Sequence, residues 1–210
     1  VLGRPIVALM NGLNEGLNGL TGGGVVVLGL ILGAMMGFDL GGPVNKVAYG
    51  FATAGLSAAG TAMDAPQLKI MAAVMAAGMV APLALALATT IAPKLFSAPE
   101  RENGKAAWLL GASFISEGAI PFAAKDPLRV IPATMAGGAI TGAMTMAMHV
   151  GSRAPHGGVF VAFAITHFGG FLLAILAGTV VSTALVIVLK GLGRNADGKK
   201  GVEAQATAAA

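Results

Sequence analysis

Residues Trp108–Ala124 read WLLGASFISEGAIPFAA, an apolar stretch that holds one carboxylate, Glu117, beside the helix breakers Gly118 and Pro121. An acid at the centre of a bilayer costs roughly 2.5–3.5 kcal/mol, so a membrane chain does not carry one there without a use for it. Irregular backbone at membrane depth survives only where protein or water satisfies its polar groups. The stretch therefore predicts a broken helix or hairpin at a polar cavity. Glu117 is a transport-site candidate, held at a kinked tip in the low-dielectric slab.

The rest of the chain supports that setting. Of its 210 residues, 56% are hydrophobic and 10% charged, against roughly 25% charged in soluble domains, and its mean hydropathy is +0.81. The fold class that follows is an all-α, multi-pass membrane protein. The 32 glycines suit membrane helices, where small residues let backbones approach closely. A net charge of +4 is a topology signal here, because the basic residues gather at segment ends with almost no aromatics to stack bases. There is no cysteine, which excludes disulfides, thiolate metal sites and thiol nucleophiles on this chain. His149, His156 and His167 show no metal-ligand spacing, and no cofactor is implied. The opening VLGRPIVALMNGLNEGLNGL is not a signal peptide, and the chain is expected to be part of a larger protein.

Residues 5–20 carry apolar positions at helical spacing and read as an amphipathic helix in the interface plane or packed on the protein itself. Gly24–Leu40 is a strongly apolar run just long enough to cross, and Gly29, Gly33 and Gly37 give it one small-residue face for helix packing. Val47–Met63 is weakly apolar, spanning or re-entrant. Leu68–Ala92 is a span with Pro82 as a kink, and Val130–Val150 is another. Phe160–Leu189 is too long for one crossing and is expected to divide at Gly169-Gly170 into a short buried arm and a full span. The sum is about five or six crossings plus one or two re-entrant hairpins, with residues 191–210 a disordered cytoplasmic tail.

Charge sets the orientation. Lys94, Arg101 and Lys105 in the 93–105 loop, Lys125 and Arg129, and the basic tail after Lys190 all mark a cytoplasmic side. If residues 105 and 125 share a side, the segment between them enters and returns. That makes residues 106–124 a re-entrant hairpin around Glu117.

Two further runs, FDLGGPVNKVAY (Phe38–Tyr49) and APHGGVFV (Ala154–Val161), join ISEGAIPFAAKDPLRVIP (Ile115–Pro132). GGPVNK lacks the glycine spacing and the following Ser or Thr of a phosphate loop. It offers a helix break with an amide, Asn45, and an ammonium, Lys46, as donors to sugar hydroxyls. In this order the three runs resemble the enzyme IIC (EIIC) membrane domain of the sugar phosphotransferase system, in its fructose-type branch, over residues 1–190. The resemblance implies a component that binds a fructose-like hexose or hexitol outside and carries it across by a rigid-body shift. A partner IIB domain with a phosphocysteine, fed by a IIA domain, then phosphorylates the sugar. It further implies that the glutamate of a re-entrant hairpin, here Glu117, bonds the sugar hydroxyls, and that the full-length protein is a homodimer in the bacterial cytoplasmic membrane. A complete enzyme IIC carries further N-terminal spans, so this chain is expected to be the sugar-binding half. Phosphoryl transfer would belong to its partners.

Plainer roles stand beside these. Glu117 could cap free amides or accept the hydroxyl proton during phosphorylation. Lys46 could snorkel, and Asp39 could pair with it. Asp126 and Arg129 read as a helix cap and a positive-inside marker, and His149 and His156 as solvated. His167 is either a sugar ligand or a histidine bonded to a carbonyl. Two rival functions remain: an ion-coupled transporter in which Glu117 carries a proton, and an inactive membrane fragment that only assembles with other chains.

Overall fold

The computed structural model describes residues 23–59 and 65–208, so the amphipathic segment over residues 5–20 lies outside the described residues. In chain order the helices are α1 (Gly23–Phe38), α2 (Pro43–Ala58), α3 (Pro66–Ile91), α4 (Ala98–Ala112), α5 (Ile120–Lys125), α6 (Pro127–Ala147) and α7 (Phe168–Ala208). Proline stands at the first or second helical position of α2 to α6, where its missing amide costs nothing and its fixed φ favours the turn. The chain is an all-α membrane protein. Among the described residues three helices are long and apolar enough to cross a bilayer: Pro66–Ile91, Pro127–Ala147 and Phe168–Gly193. Hydropathy had pointed to about five or six crossings. Helix α1 is apolar but shorter, and the weakly apolar run after Val47 forms only the 16-residue α2.

Helix α3 is the axis of the fold. It is apolar all round, and α1, α2, α4, α6 and α7 pack against it, so nearly every side chain from Leu68 to Ala88 is buried. Helix α6 lies antiparallel between α1 and α7, on two different small-residue faces. Gly29, Gly33 and Gly37 of α1 face Gly142, Gly138 and Thr134 in reverse order, and a Cβ on any of the three would strike backbone across the interface. The Thr134 hydroxyl donates to the Gly37 carbonyl at 2.7 Å. On the other face Gly137 abuts Gly178, and the Thr141 hydroxyl reaches the Ala174 carbonyl at 3.1 Å. The glycine periodicity thus acts through close backbone approach.

The segment between α3 and α6 folds back on itself. Lys125, at the end of α5, donates to the Ser97 hydroxyl at 2.7 Å and to Glu100 at 3.1 Å, at the start of α4. Both ends of this hairpin therefore sit at one end of the bundle. From the opposite end a second loop enters, closed by strands β1 (Gly151–Ser152) and β2 (Ile165–Thr166) pairing antiparallel, with a 3-10 segment over Gly158–Ala164 between them.

Two expectations change here. The break after this loop falls at His167, with φ 51°, and α7 runs through Gly169-Gly170 unbroken. The arm before it is not buried either, since Phe163 is 90% exposed. The backbone of α7 is helical to Ala208.

Candidate functional site

Helix α4 ends in a Schellman turn. The Phe114 amide donates to the Gly111 carbonyl at 3.1 Å, and the Ile115 amide reaches back to Leu110 at 2.9 Å. Phe114 itself holds the left-handed conformation, φ 65°, which glycine usually fills. For a bulky residue that costs on the order of 1–3 kcal/mol. The Phe114 ring offsets the cost by burying against Gly78 of α3, where a Cβ would meet it. Next along the tip, the Ser116 hydroxyl donates to the Gly78 carbonyl at 2.9 Å. Gly78 lies twelve residues after Pro66 and thirteen before Ile91. At about 1.5 Å per residue the tip therefore docks roughly midway along the bilayer-length α3.

Glu117 opens into a cleft of about 200 Å³. Glu117 is exposed rather than buried, and it lines this cleft. One wall is the tip itself, with Phe114, Ser116 and Glu117; the other is Asn45, Lys46 and Tyr49 on one face of α2, with Gly41 at its entry. His156, from the loop that enters at the far end, completes the lining and lies 4.9 Å from the Phe114 ring, centroid to centroid. Gly41 has φ 106°, and a Cβ there would come within 2.6 Å of Glu117 Oε1. Glycine at this position admits the carboxylate.

The start of α2 is built by Asp39. Its carboxylate accepts the amides of Val44 at 2.6 Å and Asn45 at 2.8 Å, satisfying donors that a helix start leaves without partners. The pairing of Asp39 with Lys46 is therefore not what forms. Asn45 is buried, and its Nδ2 donates to the Met36 carbonyl at 3.0 Å, which ties α1 to α2 and sets the amide at the cleft wall. Glu117 and Lys46 form no hydrogen bond or ion pair among the described residues. The cleft thus presents an unengaged carboxylate, an unengaged ammonium, an amide, an imidazole and two aromatic rings. That combination accepts and donates hydrogen bonds to hydroxyls and faces C–H surface, which is the chemistry a polyol needs.

Of the residues singled out from sequence, Glu117, Asn45 and Lys46 come together here. His167 does not: it is exposed at the β2–α7 corner, and its carbonyl accepts the Gly170 amide at 2.8 Å. His156, read as solvated, takes its place in the lining, and Tyr49 and Phe114 were missed. Tyr49 stands four residues after Asn45, the spacing that puts two residues on one helical face.

At the hairpin base the charges form a separate cluster. Asp126 precedes α6 but makes no side-chain cap. Its carboxylate pairs with Arg129 at 3.2 Å and Lys190 at 3.5 Å. Burial would raise the Glu100 carboxyl, but the Ser97 amide and hydroxyl, Lys125 and Lys190 outweigh it and lower the pKa from 4.5 to about 2.

Known proteins match most of the chain. It matches no family model and no solved structure. It is 54% identical over 193 residues to the PTS system fructose-specific EIIB'BC component of Rhodobacter capsulatus, covering 90% of this chain and 32% of that protein. It is 50% identical over 191 residues to the PTS system fructose-specific EIIC component of Haloferax volcanii, covering 90% of this chain and 49% of that one. With the fructose permease IIC component of Bacillus amyloliquefaciens the identity is 45% over 190 residues, 90% of this chain and 60% of the relative. The chain thus spans between about a third and three-fifths of these relatives. Over that shared length it belongs to the fructose-type EIIC family of phosphotransferase-system membrane components.

Proposed function

We propose that this chain is the sugar-translocating portion of a phosphoenolpyruvate-dependent phosphotransferase system for fructose or a fructose-like hexose or hexitol. The observation that carries the reading is the unengaged Glu117 carboxylate facing a monosaccharide-sized cleft at the mid-length of α3. In this reading Glu117 accepts hydrogen bonds from sugar hydroxyls, Lys46 donates to them, and Asn45 adds its amide oxygen. His156 and the rings of Phe114 and Tyr49 close over the C–H faces. The hairpin around residues 106–124 re-enters the membrane from the side that carries Lys94, Arg101, Lys105, Lys125 and Lys190. By the positive-inside rule that side is cytoplasmic, and so is the end of α7, in the cytoplasmic membrane. The sugar substrate and the IIB and IIA partners are supported by relatives named fructose-specific EIIB'BC and EIIABC components. A homodimer is the assembly expected of the complete protein.

Having no cysteine, the chain depends on a separate IIB segment for the phosphocysteine. Phosphorylation makes the product anionic, and the cleft is read as fitted to the hydroxyls of a neutral polyol. Release is thereby favoured over return. The test is fructose uptake into vesicles holding the protein, with and without phosphorylated IIB. Uptake that needs the phosphorylated partner supports the reading, whereas equal uptake without it favours coupling to an ion gradient.

A further inference from the structure

An α-helix offers each carbonyl the amide four residues on. Pro82 has no amide, so within α3 the Gly78 carbonyl loses its partner, and the proline ring also pushes that carbonyl aside. An unpaired carbonyl inside a packed core is costly. The Ser116 hydroxyl, buried and 2.9 Å away, supplies the missing donor. The same rung holds the tip at two more points. Gly78 makes room for the Phe114 ring, and a Cβ at Gly118 would come within 3.3 Å of Pro82 Cβ. Residues 114, 116 and 118 are all buried, while Glu117 among them is exposed and lines the cleft.

We propose that Ser116 is the positioning residue of this cleft: its hydroxyl takes the carbonyl that Pro82 leaves free at Gly78, and so locks the Glu117 carboxylate at one depth and heading against α3. The proline is then one half of a two-part fastening, with the serine as the other half, and the tip moves only as α3 moves. This rests on the reading of the cleft as a sugar site.

The experiment is equilibrium binding of fructose to the protein in proteoliposomes, for a Ser116 and Pro82 double-mutant cycle, with Glu117→Gln measured beside it. Ser116→Ala is expected to weaken fructose binding about tenfold, while Ser116→Thr, which keeps the hydroxyl, stays within about threefold. Pro82→Ala restores an amide that competes for the Gly78 carbonyl. It is expected to weaken binding about threefold, with Ser116→Ala then adding less than about twofold. A role in stability alone would lower the unfolding temperature and leave the fructose affinity and this coupling untouched. Unchanged affinity in Ser116→Ala, or the same tenfold cost in the Pro82→Ala background, overturns the proposal while Glu117→Gln still weakens binding. If Glu117→Gln also binds fructose normally, the sugar-site reading falls and this inference falls with it. Should Ser116→Ala fail to accumulate in the membrane, Pro82→Ala alone decides, since unchanged affinity there overturns the fastening.

Discussion

Glu100 and Lys190 stand ninety residues apart in the chain and 3.3 Å apart in space, with both side chains almost fully withdrawn from solvent. Lys190 also lies 4.9 Å from the Phe96 ring centroid. This pair joins the base of the hairpin to α7, the element that also packs on α6. The hairpin is thus held at its base by α7 and at its tip by α3.

The Glu100 carboxyl, which burial would raise but the Ser97 amide and hydroxyl, then Lys125 and Lys190, hold low, sets an acid limit on the fold. A carboxyl held below its unfolded value stabilises the protein fully above that value, and the stabilisation is lost as pH falls towards the folded one. For Glu100 the window runs from 4.5 down to about 2. The lowering corresponds to on the order of 3 kcal/mol, an upper figure because Lys125 is 54% exposed. Thermal unfolding in detergent should show wild-type stability falling as pH drops through this window. Glu100→Gln should be less stable at neutral pH and show a flatter acid limb; a wild-type-like limb in that variant would remove Glu100 as its cause.

Replacing Gly33 by alanine tests the α1–α6 approach. The new Cβ would strike the Gly138 carbonyl, which is backbone and cannot rotate away. The cost expected is about 1–3 kcal/mol of overpacking, read as a lower unfolding temperature. Gly23, where a Cβ meets nothing within 4 Å among the described residues, is the control, and Gly23→Ala should be silent. Equal behaviour of the two would mean the helices do not meet on the glycine face.

His156 and His167 give opposite predictions. His156→Ala should weaken fructose binding about three- to tenfold through loss of its contact with the Phe114 ring, with little change in stability because the side chain is exposed. His167→Gly keeps the left-handed φ at no strain and should bind fructose normally. A sugar ligand at His167 would reverse that order.

How far these features could be read from sequence depends on whether their signal is local. The glycine spacing in Gly29, Gly33 and Gly37 states a packing face outright, and it is used as one. The hairpin around Glu117 was legible because a breaker-rich acidic segment and basic residues at both its ends point the same way. His156 was not, since its place at the cleft comes from a loop returning from the other end of the bundle. Asp39 misled for a similar reason: a carboxylate at membrane depth was expected to seek a cation, but the nearest donors were amides of its own turn. Helix α2 was hard to read, because a weakly apolar run does not say by itself whether it spans, and it forms a 16-residue helix.

The most direct test concerns Glu117 itself. Equilibrium fructose binding to the protein in proteoliposomes should weaken roughly tenfold or more in Glu117→Gln, since a hydrogen bond to a charged acceptor is worth about 1.5–3 kcal/mol. The unfolding temperature should stay near that of the wild type, because the carboxylate has no partner among the described residues to lose. Wild-type fructose affinity in Glu117→Gln would contradict the account at its centre.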